Sequence, residues 1–180
     1  MSRNEHGFTL IELLVVMSIT TVLLGLGVFA LRNFWLVRSL TGGQDEVVNQ
    51  MRAVQSKVMA ESNPLIYGIG FREGTAEWQI VRVDTAPPVT DTCTGDGVRR
   101  FDAGVVVDDA DFDTTVSGIL TEPIVDICQD AIGDSYLDDG FVFFLPRGTA
   151  TAGTVTLRQS NLDRTEGVEV TPLAGRVDEQ

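Results

Sequence analysis

The sequence predicts an α+β fold in which a long N-terminal α-helix packs on an antiparallel β-sheet domain. Residues 8–31 form an apolar run that contains one acidic residue and no basic residue. Apolar residues then recur at helical spacing as far as residue 58. Beyond residue 63 the pattern changes to short apolar runs separated by Gly, Pro, Asp and Thr, which is typical of strands joined by turns.

The first segment of this helix is long enough to cross a membrane. Residues 8–31 would span about 36 Å as a helix, against a hydrocarbon core of ~30 Å. The hydroxyl side chains in the run can bond to the helix's own carbonyls. Glu12 has no such solution, and a carboxylate near the bilayer centre costs roughly 3 kcal/mol. Glu12 therefore needs a functional explanation.

The helix is predicted to continue over residues 32–62 as an amphipathic segment. Its apolar residues fall on one helical face, which we expect to be packed against the remaining domain: Val47, Met51, Val54 and Val58. Gly42-Gly43 predicts a kink or melting point between the two halves. Asn63-Pro64 is expected to end the helix.

Residues 63–180 are predicted to form the β-rich domain. The candidate strands are Leu65–Phe71, Glu77–Val83, Val98–Val107, Phe141–Leu145, Thr154–Arg158 and Gly167–Thr171. Because Phe141–Leu145 is apolar throughout, we expect it to be a central strand. The acidic tract 108–139 is expected to form loops.

Charge is distributed unevenly along the chain. Residues 1–43 carry a net charge of +1, whereas the remainder carries −14. Between Phe101 and Gly140 there are eleven acidic residues and no Lys or Arg. A surface of this sign repels nucleic acid and anionic membranes and keeps the domain soluble.

Two cysteines, Cys93 and Cys128, lie in the predicted β domain. If the domain is outside the cytoplasm, we expect them to form a disulfide. In a reducing compartment they would instead be free, buried thiols.

Three hypotheses explain the N-terminus: a cleaved secretory signal, a plain membrane anchor and a prepilin. The apolar run is longer than that of a secretory signal, and a plain anchor leaves Glu12 unexplained. The sequence from Gly7 to Leu14, GFTLIELL, follows a short polar leader and opens a long apolar helix. This arrangement resembles the N-terminus of type IV pilins and of the pseudopilins of type II secretion.

The resemblance implies a pilin-like fold and a specific processing pathway. A prepilin peptidase would remove the leader, residues 1–7, by cutting after Gly7, and the new amine of Phe8 would be methylated. Glu12 would neutralise that amine during assembly, between neighbouring subunits. Arg3 on one side of the apolar run and Arg32 and Arg38 on the other leave the orientation undecided by charge. The resemblance places the chain in the inner membrane as a single-pass protein, with residues 63–180 in the periplasm or outside the cell.

A second resemblance concerns the β domain. It looks like the GspH/FimT type of minor pseudopilin in a series of matching residues: Phe141, Phe143, Phe144, Pro146, Gly148, Gly153 to Leu157, Gly175 and Arg176. Residues 84–140 look like an insertion particular to this chain. The implied partners are other pilin or pseudopilin subunits, the prepilin peptidase and an inner-membrane assembly platform.

DNA is one further candidate ligand. Some related minor pilins bind DNA through basic residues near the C-terminus, and Arg147, Arg158, Arg164 and Arg176 are the candidates here. The acidic character of the domain argues against DNA, so a DNA-binding subunit of a DNA-uptake pilus is the alternative function.

No metal ligands or cofactor are expected. The run Asp109, Asp111, Asp113 begins like a calcium loop, but Thr114 and Leu120 replace the glycine and the glutamate that such a loop requires. A looser calcium site, among these residues or among Asp134, Asp138 and Asp139, is left as an alternative.

The sequence favours a structural subunit over an enzyme. Phosphate-loop, serine-hydrolase and metalloprotease motifs do not occur in it. Its one histidine, His6, lies in the predicted leader, so the processed chain would contain no imidazole for acid–base catalysis. A membrane-anchored surface protein outside any filament is the remaining alternative.

Overall fold

The computed structural model describes residues 9–61, 65–84, 92–102, 104–113, 124–133, 136, 140–146, 148–171 and 176–179. Two helices and eight strands form the fold, in the order α1 (Leu10–Ala60), β1 (Leu65–Phe71), β2 (Glu77–Asp84), β3 (Thr92–Arg100), β4 (Val105–Phe112), α2 (Ile124–Ile132), β5 (Phe141–Phe144), β6 (Gly153–Gln159), β7 (Arg164–Thr171) and β8 (Arg176–Glu179). The predicted α+β class, a long N-terminal helix on antiparallel sheets, is confirmed.

The strands form two antiparallel sheets of four strands each. The first sheet has the order β3-β2-β1-β5 and the second has the order β4-β6-β7-β8. Both sheets contact α1, whereas α2 packs on the first sheet, mainly against β3. The first sheet therefore lies between the two helices, and α1 joins the two sheets.

The main core is built on the C-terminal half of α1. The predicted stripe is confirmed, since its members are buried together with Leu40 and Val48: Val47, Met51, Val54 and Val58. They pack against inward residues of both sheets, such as Phe71, Val107 and Leu157. At about 25 cal/mol per Å² of apolar area removed from water, this shared core is the largest favourable term holding the domain to the helix.

Polar contacts add direction to this packing. The side-chain amide of Gln44 donates to the carbonyl of Gly167 at 2.8 Å, and Arg52 donates to the carbonyl of Val177 at 3.2 Å. Closer to the N-terminus of the helix, the hydroxyl of Ser39 accepts a hydrogen bond from the side-chain amide of Gln159 at 2.8 Å. These three bonds tie α1 to three strands of the second sheet.

The helix runs without interruption through Gly42-Gly43, where the sequence predicted a kink or melting point. Gly43 is buried, and a Cβ atom there would lie 3.3 Å from Val105 and 3.5 Å from Leu157. The glycine thus allows the second sheet to approach the helix closely. Gly42 faces open space. The helix ends at Ala60 with Glu61 as its C-cap, and Asn63-Pro64 lies outside the described residues.

A second core lies between the first sheet and α2. Phe141 and Phe143 point into this core, while Val142 and Phe144 point into the main one. Opposite the two rings, β1 carries Gly68 and Gly70, where a Cβ atom would come within 2.6–2.7 Å of the rings. β5 is therefore buried on both faces although it ends the sheet. The predicted central position was wrong, since β5 is an edge strand. It is apolar throughout because each of its faces contributes to one of the two cores.

Two predictions between residues 92 and 139 were wrong. The single strand predicted at Val98–Val107 is two strands, β3 and β4, in different sheets. The chain turns between them at Gly104, which has a φ of +90° that favours glycine. The acidic tract is not all loop, since β4 extends to Phe112 and α2 covers Ile124–Ile132.

The strand β8 was not predicted from the sequence either. It pairs with β7 over only four residues, Arg176–Glu179, three of which are charged. Such a short polar strand lacks the alternation on which strand prediction depends.

We predict opposite effects at the paired glycines. Gly42→Ala should raise the free energy of unfolding by about 1 kcal/mol, because alanine is favoured in a helix interior. Gly43→Val should lower it by about 1–3 kcal/mol, since the added methyl groups overpack the contact with Val105 and Leu157. Denaturant titration of the detergent-solubilised chain measures both, and equal effects at the two positions would contradict the close approach at Gly43.

Loss of the disulfide between Cys93 and Cys128 should destabilise the domain. The bridge joins β3 to α2 across a sequence separation of 35, so the chain-entropy model predicts a stabilisation of about 3–4 kcal/mol. The Cys93→Ala/Cys128→Ala variant should unfold at a lower denaturant concentration in proportion. A midpoint unchanged from that of the oxidised wild type would show that the bridge does not stabilise the fold.

Acid sensitivity should depend on Glu77. Hydrogen bonds from Arg100 and then Arg72 hold the pKa of Glu77 below its usual value of 4.5. The group therefore stabilises the fold above about pH 4.5, and this contribution is lost as pH falls through the lower, folded-state pKa. In thermal unfolding measured across that range, Glu77→Gln should show a weaker dependence on pH than the wild type does.

Candidate functional site

The N-terminal half of α1 has no protein partner in the described structure. Every residue from Leu10 to Trp35 is exposed, and the first buried residue is Leu40. Within the described residues, α1 is the one helix whose length and composition would allow it to cross a membrane. An apolar surface of this extent requires a cover of lipid or of other protein helices.

The candidate site is the first turn of this exposed helix. Thr9 is the N-cap, and its hydroxyl accepts a hydrogen bond from the backbone N–H of Glu12 at 3.3 Å. The same hydroxyl donates a long bond, 3.5 Å, to the Glu12 carboxylate. This geometry satisfies one free N–H of the helix end and turns the carboxylate back toward the N-terminus.

Glu12 is exposed and lies in the first turn, where the helix dipole favours a negative charge. Gly7 and Phe8 lie outside the described residues. Chemically, a carboxylate at this position can accept hydrogen bonds from a cationic amine, which would remove the cost of leaving either charge alone in an apolar environment.

Other polar groups along the apolar segment are satisfied within the helix. Ser18, Thr20 and Thr21 each donate to the carbonyl four residues earlier, at 2.9, 2.7 and 2.8 Å. As expected, hydroxyls in the run do not need an outside partner. Glu12 is the charged exception among the described residues of this segment.

The capping role of Thr9 was not predicted from the sequence, in which it is one of the hydroxyl residues of the apolar run. A signal was present, since Thr9-Leu10-Ile11-Glu12 has the T-x-x-E spacing of a helix-capping box. Thr9 both starts the helix and orients Glu12.

Cys93 and Cys128 form a disulfide that is buried between β3 and α2. The bond lies in the second core, far along the chain from the apolar helix segment. It holds α2 on the outer face of the first sheet.

The arginines considered for nucleic acid do not form one basic patch. Arg158 and Arg164 lie at neighbouring register positions of β6 and β7. Arg158 is paired with Asp108, and Arg164 is paired with Glu166. Arg176 begins β8 opposite Thr171, six residues along β7 from the Thr165 that pairs with Arg158. This separation is about 20 Å at the usual rise of a strand. Arg147 lies outside the described residues.

The residues considered for calcium are only partly described. Asp109 and Asp111 lie on the outer side of β4, where both are exposed. In the described part of the chain, no group of three or more His, Cys, Asp or Glu residues is arranged to hold a metal ion. Thr114, Leu120, Asp134, Asp138 and Asp139 lie outside that part.

Comparison with known proteins gives one match. A model of the prokaryotic N-terminal methylation motif matches residues 2–28, the segment that contains Gly7, Phe8, Thr9 and Glu12. No curated protein and no solved structure matches the chain. The motif, together with the long apolar helix packed on antiparallel sheets, supports a type IV pilin-like protein that is anchored in a membrane.

Proposed function

We propose that the chain is a minor pilin or pseudopilin, a structural subunit of a type IV pilus or of a type II secretion pseudopilus. In this proposal it is cleaved after Gly7 and methylated on the amine of Phe8. The observation that carries the proposal is the methylation motif at residues 2–28, placed at the start of a helix that leaves its apolar half uncovered.

The architecture supports such a role. A subunit of this kind must move its helix from the membrane into a bundle of neighbouring helices, and both environments are apolar. The exposed half of α1 suits either one, because its hydroxyls are satisfied internally. The packed half, held by both sheets, would carry the domain along as a rigid unit.

Glu12 has a specific task in this proposal. The Phe8 amine of one subunit would pair with Glu12 of a neighbour as the two helices come together. A charge left alone in hydrocarbon costs about 2.5–3.5 kcal/mol, so only the arrangement that pairs both charges avoids the penalty. Axial stagger between subunits would then be selected electrostatically.

The finer assignments are also proposals. The domain would face the periplasm or the cell exterior, and the role would be structural and not enzymatic. The GspH/FimT type is supported by the matching residues Phe141 to Phe144 and Gly153 to Leu157, which occupy β5 and β6. DNA is not favoured as a partner, since Arg158 and Arg164 are already paired with carboxylates.

Glu12→Ala should block assembly while leaving processing intact. Without the carboxylate, the amine of a neighbour stays unpaired, so incorporation into sheared filaments should fall by about tenfold or more. Immunoblots of the membrane and sheared fractions measure incorporation, and the mobility of the membrane-bound chain reports removal of residues 1–7.

Asp109→Ala is the matched control, because it removes an exposed carboxylate from β4 and leaves α1 unchanged. It should be incorporated like the wild type. Normal incorporation of Glu12→Ala would contradict the assembly role of the carboxylate.

A further inference from the structure

Four exposed side chains lie on α1 between its apolar segment and its packed half. They form a collar that consists of Arg32, Phe34, Trp35 and Arg38. Phe34 and Trp35 are 56% and 61% exposed and contact each other edge to face, with ring centroids 6.0 Å apart. The first helix residue that the domain buries is Leu40. Within the described residues, no contact with the domain explains two exposed aromatic rings at this level.

The arginines of the collar are not ion-pair partners of any residue in the described part of the chain. Arg32 and Arg38 make no salt bridge within the described residues, and residues 32–39 contain no acidic side chain. The collar is therefore a local band of charge +2 on a chain whose net charge is −13.

The charge changes sign directly above the collar. A cleft of about 340 Å³ beside the helix is lined by Trp35 and Arg38 of the collar and also by Asp45 and Asp102. Burial, followed by the charge of Asp102, raises the pKa of the adjacent Glu46, whereas the charge of Arg99 lowers it. The collar would thus attract an anionic surface. The carboxylates one to two helical turns further toward the C-terminus of α1 would repel it.

Axial spacing relates the collar to Glu12. From Glu12 to Trp35 there are 23 residues of unbroken helix, which correspond to about 35 Å. The hydrocarbon core of a bilayer is ~30 Å thick. When Trp35 lies in one interface, the Glu12 carboxylate therefore reaches the opposite interface and leaves the hydrocarbon.

We propose that the collar binds the phosphate headgroups on the domain side of the membrane and thereby sets the depth of the stored helix. Tryptophan and arginine are the side chains expected at such an interface, where the ring lies among the ester groups and the guanidinium contacts phosphate. The carboxylates of Asp45 and Asp102, which line the cleft beside the collar, prevent deeper insertion. Glu12 is held at the far interface until the helix leaves the membrane. This inference rests only on the membrane-anchored part of the proposed function and does not require a filament.

Depth-dependent quenching of Trp35 tests the proposal. The full-length chain is reconstituted in vesicles of phosphatidylcholine and phosphatidylglycerol that contain lipids brominated at different acyl positions. Trp78 is 1% exposed inside the domain, so a Trp35→Phe chain gives its background signal. We expect lipids brominated nearest the ester groups to quench Trp35 most strongly.

A charge-reversed collar supplies the second arm. Each arginine near an anionic surface favours the bound position by about fivefold, so Arg32→Glu/Arg38→Glu should lose most of the shallow quenching and gain quenching by acrylamide in water. The control, Lys57→Glu/Arg82→Glu, reverses two cations near the other end of the packed helix and should behave like the wild type.

Two results would overturn the proposal: strongest quenching by lipids brominated near the chain ends, or equal quenching of the wild type and the charge-reversed collar. Either result would leave the filament role of Glu12 untouched, since the vesicles contain no assembly machinery. Conversely, normal filament incorporation of Glu12→Ala would not affect the collar.

Discussion

The structure depends on one constraint, which is that a single continuous helix must serve two environments. Over its C-terminal half, α1 supplies the core that both sheets share, through residues such as Leu40, Met51 and Val58. Over its N-terminal half it offers only exposed apolar side chains. Because each sheet buries its inner face on the same helix, the domain cannot leave the helix without losing its main core. When the apolar half moves from one cover to another, lipid or protein, the domain must therefore move with it.

Polar chemistry is concentrated at the ends of the exposed half. Thr9 and Glu12 occupy its first turn, and the collar around Trp35 closes it on the domain side. Between them the hydroxyls of Ser18, Thr20 and Thr21 bond back to the helix. A segment of this design can be transferred between a bilayer and a helical bundle with little change in its internal bonding. Only the charged groups at its two ends would have different interactions in the bilayer and in the helical bundle.

The sequence predicted the features that depend on simple periodicity. These include the helix, its buried stripe and most strands of both sheets. It did not predict the part of β4 beyond Val107, because a register shift between Val107 and Asp109 changes which side chains point inward: Val105 and Val107 before the shift, and Ala110 and Phe112 after it. The acidic residues between them resembled a loop. Helix α2 was hidden for a related reason, since only three of its nine residues are buried.

At the candidate site, residue types predicted more than spacing did. Glu12 stood out because a carboxylate is costly in an apolar run, whereas Thr9 looked like one more tolerated hydroxyl until the cap geometry gave it a role. The glycines show the opposite limit. Gly42 and Gly43 are identical in sequence terms, and only the approach of Val105 and Leu157 distinguishes them.

The most direct measurement of the central hypothesis is the intact mass of the chain purified from the membranes of cells that express it with its own processing machinery. An assembly helix that begins at Phe8 requires the loss of residues 1–7 and the gain of one methyl group on the new amine. A chain that retains residues 1–7, or one shortened at a site beyond the apolar run, would contradict the pilin-like interpretation.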